Sequence, residues 1–79
     1  MKHIKSPKRR QGAAAQLVKM MRIAGIDCQE IKPGVFELSK GRLSYYGGGY
    51  WELDMKEKII KFSSRSTSEI TLKVFSEFQ

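Results

Sequence analysis

Residues 35–63 read VFELSKGRLSYYGGGYWELDMKEKIIKFS, and their alternation decides the fold. Phe36, Leu38, Leu43, Tyr45, Trp51, Leu53, Met55, Ile60 and Phe62 fall on one side of the alternation. Glu37, Arg42, Ser44, Tyr46, Tyr50, Glu52, Asp54 and Lys61 fall on the other. Side chains of a strand alternate between its two faces, so the pattern makes one apolar and one polar surface. Lys40-Gly41, Gly47-Gly48-Gly49 and the polar Lys56-Glu57-Lys58 cut the stretch into short runs. Short alternating runs with tight links predict an antiparallel meander, covered on a single side.

Upstream, Pro33-Gly34 is a turn dipeptide, and Ile26 to Lys32 supplies a further short strand. Before Gly25 the period changes. Ala14, Leu17, Val18, Met21 and Ala24 follow helical spacing and predict a helix from about Gly12 to Ala24. Gly25 is a natural stop, because a helix end commonly needs a left-handed residue. The apolar stripe of this helix is the cover that the sheet requires. Residues 1–11 contain a proline and almost no apolar side chain, and read as a mobile basic arm preceding one domain over 12–79.

Downstream, Ser66-Thr67-Ser68-Glu69 has the spacing of a capping box, and Ile70, Val74 and Phe78 then share a helical face. Ile70, Leu72 and Val74 also alternate, as a strand would. The capping spacing favours a helix, with a final strand as the alternative. The expected fold is therefore α+β: an N-terminal helix packed on one face of a four- to five-stranded antiparallel meander, followed by a C-terminal helix.

The chain has 79 residues, and its 41% hydrophobic and 29% charged content suits a folded domain rather than a disordered segment. The longest apolar run is Ala13-Ala14-Ala15, far short of a membrane span, and the amino end lacks the pattern of a secretory signal. The single cysteine, Cys28, cannot form an internal disulfide. Together these point to a reducing setting, the cytoplasm.

Charge is the most informative feature. Of fifteen Lys and Arg, seven (Lys2, Lys5, Lys8, Arg9, Arg10, Lys19 and Arg22) precede the first acidic residue, Asp27. The remaining eight are cancelled by all eight Asp and Glu, so the first 22 residues carry the whole net charge of +7. An acid-free cationic segment is the footprint of a polyanion partner, DNA or RNA, gripped through its phosphates. It lacks the bulky apolar residues of a membrane-surface helix.

Tyr45, Tyr46, Tyr50 and Trp51 flank the three glycines, with Arg42 nearby. The alternation sends Tyr45 and Trp51 into the core. Tyr46 and Tyr50 are left outside as a cross-strand pair, as rings that stack on unpaired bases, or as anchors for a protein partner. Glu37, Glu52 and Asp54 share that outer face and repel phosphate, which leaves the nucleic-acid role to the arm and first helix, with Arg42 adding a contact.

Nothing in the sequence names a reaction. His3 lies in the arm, Cys28 has no activating partner, and no Cys, His and carboxylate set has metal-ligand spacing. The glycines do not form a phosphate-binding signature, so no cofactor and no small-molecule substrate is expected. The leading expectation is a small non-enzymatic nucleic-acid-binding protein. The alternative is a protein-binding adaptor or inhibitor, of a kind that phages and mobile elements carry, acting through the sheet face and Tyr46 and Tyr50.

The order helix, strands, helix is similar to that of the double-stranded RNA-binding fold and its small messenger-RNA-cleaving toxin relatives. The basic cluster that opens the last helix in that RNA-binding fold has no counterpart in Thr67 to Lys73, and the strand histidine of the toxins is absent. No residue role is carried over.

Overall fold

The first helix opens seven residues earlier than its apolar stripe implies. A computed structural model describes the backbone of residues 5–79 and the side chains of residues 13–79. In it α1 spans Lys5–Ile23. Residues 5–11, expected as part of a mobile arm, thus have a helical backbone. Pro7 falls in the first turn, where its missing N–H would have no partner anyway. Lys, Arg and Gln are good helix formers, and Gly12 costs only about 1 kcal/mol within a helix.

The helix ends in a Schellman motif. The Ile26 N–H donates to the Met21 carbonyl at 2.9 Å and the Gly25 N–H to that of Arg22 at 3.0 Å. Gly25 takes a φ of 86°, as this closure demands. Met21 and Ile26, which the motif brings together, are both core residues. The strand expected from Ile26 accordingly begins at Cys28.

Five strands follow: β1 Cys28–Lys32, β2 Val35–Leu38, β3 Gly41–Gly47, β4 Tyr50–Met55 and β5 Ile59–Ser63. They pair antiparallel in sequence order. The register aligns the apolar side chains in rows across the inner face. One row runs Phe36, Leu43, Leu53, Ile60; a second runs Tyr45, Trp51, Phe62; a third runs Cys28, Leu38, Gly41, Met55. Gly41 in the third row is obligatory, because a Cβ there would sit 2.5 Å from the Asp54 carbonyl oxygen.

The last segment is a helix, α2, Thr67–Glu77. Ser66 caps it, accepting from the Glu69 N–H at 3.3 Å. The return half of the capping box runs through Ser64: its Oγ donates to the Glu69 carboxylate at 3.0 Å and accepts from the Ser66 N–H at 3.1 Å. Buried Thr71 is satisfied by donating to the Thr67 carbonyl at 2.9 Å.

Both helices cover the inner face, Leu17 and Met21 of α1 meeting Ile70 and Val74 of α2 over Leu43 and Leu53. The outer face is left uncovered. Among the described residues, no helix is long and apolar enough to cross a membrane.

Candidate nucleic-acid interface

The cations of α1 are the first component. Lys2 lies outside the described residues, as does His3, and the side chains of Lys5, Lys8, Arg9 and Arg10 lie outside the described side chains. Their backbone, from Lys5 onward, is continuous with that of Lys19 and Arg22. Lys19 is exposed. Arg22, expected as a second phosphate contact, is exposed but turns its guanidinium to the backbone, donating from Nε and Nη2 to the Cys28 carbonyl at 3.2 and 3.0 Å.

The outer sheet face is the second component. Cross-strand register places Arg42 between Glu37 and Asp54, and Glu52 opposite Lys61. Arg42, expected as an accessory phosphate contact, forms an ion pair with Glu37 at 3.1 Å, donating through both Nε and Nη2. Three carboxylates against two cations give this face no attraction for phosphate.

Tyr46 and Tyr50 stand on this face, 67% and 63% exposed. They are not the direct cross-strand pair considered from the sequence. The register slips between Tyr45 and Gly47, so Tyr50 lies opposite Gly47 and Tyr46 has no partner residue. The Tyr46 hydroxyl instead donates to Glu52 Oε1 at 3.0 Å. That bond and the carboxylate's charge raise the tyrosine's pKa above its ordinary value, because ionisation would lose the bond and set two anions together.

A third component was not visible in the sequence. Tyr45 and Trp51 lie on the inner face as expected, but they are not core: Trp51 is half-buried and Tyr45 is 40% exposed. The reason is the helix opposite. Where Leu17 and Met21 fill the middle of the interface, the preceding turn offers only Ala13 and Ala14. The result is a groove of about 560 Å³ between the helices and the end of the sheet, with Phe36, Tyr45 and Trp51 on its sheet side. Its polar groups come from Glu30, Ser64, Thr67 and Arg65.

The aromatic wall is held in place. The Tyr45 and Trp51 rings are tilted against each other with centroids 4.6 Å apart, and the Trp51 indole donates to the Ser64 carbonyl at 3.0 Å. The Gly49 N–H donates to the Tyr45 hydroxyl at 3.0 Å. Arg65 lies across Gly49, its Cγ 3.3 Å and Nε 3.4 Å from where a Cβ would stand. Among the described residues it forms no ion pair. In sequence Arg65 is one charge in a serine-rich loop, and only the folded β3–β4 turn gives it a platform.

Cys28 is buried beneath α1, and burial pushes its thiol pKa up despite the nearby charge of Arg22. That is the opposite of an activated nucleophile. Among the described residues, no group of three His, Cys, Asp or Glu is arranged to hold a metal ion. Protein-family models, curated proteins and solved structures contain no match to this chain.

Proposed function

We propose that this protein is a non-enzymatic nucleic-acid-binding module that grips phosphates with α1 and the residues before it. One observation carries the reading: the chain's excess charge precedes Asp27 with no acid among it, and six of the seven cations belong to a single helix. That helix has no acidic residue in its first turn. Its amide dipoles add positive potential at the end where Lys5 and Lys8 lie, an arrangement unfavourable to the isolated helix and relieved by a bound polyanion. The sheet face, with three carboxylates against two cations and Arg42 paired to Glu37, supports the same assignment by offering no competing phosphate surface.

The test is a salt titration of binding to DNA and RNA followed by anisotropy. The full chain is expected to give a steep fall of affinity with salt. Removing residues 1–10, which takes away Lys2, Lys5, Lys8, Arg9 and Arg10, is expected to flatten the slope by about 3 to 5. Binding indifferent to both salt and truncation would overturn the reading.

A second reading, a protein-binding adaptor, rests on the exposure of Tyr46 and Tyr50 on an uncovered sheet face. Capture of partners after nuclease treatment, compared between the native chain and the Tyr46→Ala, Tyr50→Ala double variant, separates the two. Partner loss in the variant alone supports the adaptor; partner loss on nuclease treatment supports nucleic-acid binding.

A further inference from the structure

We infer that the groove between α1, α2 and the Tyr45–Trp51 end of the sheet takes an unpaired base of a single-stranded nucleic acid. This rests on the reading of α1 as the phosphate-binding element and names the form of nucleic acid it serves. A core position is normally filled. Here two aromatic rings, buttressed on one side by hydrogen bonds to Ser64 and Gly49, face a helix turn of alanines and leave a cavity of about 560 Å³. Small-molecule sites are of this size and kind, apolar and aromatic with a few fixed polar groups. Base–aromatic stacking needs such a fixed ring surface.

Charge identifies the occupant as a nucleotide rather than an apolar side chain. Arg65 stands at one side of the groove, held against Gly49, with no carboxylate partner among the described residues. On the other side the cationic turns of α1 begin immediately: the backbone of Arg10 is three residues before Ala13, about 4.5 Å of helix rise. A base seated there has Arg65 for one flanking phosphate and lies beside the backbone of the helix whose sequence carries the chain's excess charge. Glu30 fixes the orientation. One of its oxygens accepts from the Gly34 N–H at 3.3 Å. The carboxylate keeps phosphates out of the groove and suits an exocyclic amino group, which cytosine carries and uracil lacks. A duplex, with its bases stacked and paired, cannot use the groove and is left with the phosphate contacts alone.

Trp51 is the chain's one tryptophan, so its fluorescence reads the groove directly. An octamer of cytidylate is expected to quench it and to bind about 10- to 100-fold more tightly than a duplex of the same phosphate number at the same salt. Ala14→Leu, which fills the groove, is expected to abolish the quenching and bring the octamer to the duplex affinity with the salt slope unchanged. Arg65→Ala, which leaves the groove open, is expected to keep the quenching and lower the salt slope by roughly 1. Circular dichroism checks that Ala14→Leu is folded, and if it is not, the quenching and Arg65→Ala decide. Salt-dependent octamer binding without quenching would overturn the groove and leave the α1 reading standing. Absence of binding at any salt would overturn both. Quenching by N-acetylphenylalanine amide but not by the octamer would overturn the inference in favour of a protein side chain.

Discussion

The guanidinium of Arg22 straddles the carbonyl oxygen of Cys28, donating from Nε at 3.2 Å and from Nη2 at 3.0 Å. The contact ties the last turn of α1 to the first residue of β1 and occupies an acceptor at the start of an edge strand. Arg22→Ala is expected to cost about 1–2 kcal/mol in urea unfolding, the range for a partly exposed hydrogen bond to a charged donor. Arg22→Lys should recover little of it, since an ammonium cannot fork across one oxygen in the same way. Lys19→Ala, by contrast, should leave stability within about 0.5 kcal/mol and lower the salt slope of nucleic-acid binding by about 1.

Ser66→Ala removes the acceptor for the Glu69 N–H at the start of α2. A loss of about 1 kcal/mol is expected, read from the thermal midpoint. Ser64→Ala should cost a comparable amount, because Ser64 carries the return half of the cap. The double variant is then expected to fall short of the sum, since both residues belong to one network.

Gly49→Ala meets two obstacles. The backbone there has a φ of +82°, a left-handed conformation costing a residue with a Cβ about 1–2 kcal/mol. The new methyl would also press on Arg65 at 3.3 Å. Unfolding should show at least the backbone cost. Octamer binding should weaken as in Arg65→Ala, because the guanidinium loses its platform.

The Tyr46–Glu52 hydrogen bond gives a pH signature. Its donor is the neutral phenol, so the folded pKa is raised above the unfolded value near 10. The stabilisation is therefore fully present below about pH 10 and lost as pH rises through the higher folded value. Absorbance titration should show Tyr46 ionising above the ordinary tyrosine range, and Glu52→Gln should return it toward that range.

Cys28 is expected to be a reporter of unfolding rather than a reactive thiol. Burial holds its pKa up, with the charge of Arg22 opposing the shift. Iodoacetamide at pH 8 should modify it slowly in the native chain and at the rate of a free thiol in urea. Rapid modification of the native chain would contradict the buried placement.

The parts legible from sequence were those set by local chemistry. The alternation from Phe36 to Phe62 specified the sheet and its inner face, and the Ser66 to Glu69 spacing marked the start of α2. The start of α1 is not legible, because an apolar stripe reports only the part of a helix that touches a core; residues 5–11 lie beyond it, and Pro7, which suggests a break, is tolerated in a first turn. Tyr45 and Trp51 were assigned to the correct face, but burial depends on what stands opposite. Nothing in their own strands says that alanines do. Arg22 and Arg42 looked like free cations because their partners, a carbonyl six residues away and a carboxylate across a hairpin, exist only in the fold. Arg65 gained its position from a glycine turn that precedes it by sixteen residues.

Each strand of the meander pairs only with its neighbours in the chain, through links of two or three residues. Closing such links costs little chain entropy, so the four hairpin pairings can form early and in any order, each aiding the next. The packing of α1 against α2 is different in kind: it joins segments separated by the whole sheet. Acquisition of the inner-face core is thereby delayed to the docking of the two helices. Substitutions in Leu17 or Val74 should accordingly speed unfolding more than they slow folding, while those in Leu43 or Leu53 should do the reverse.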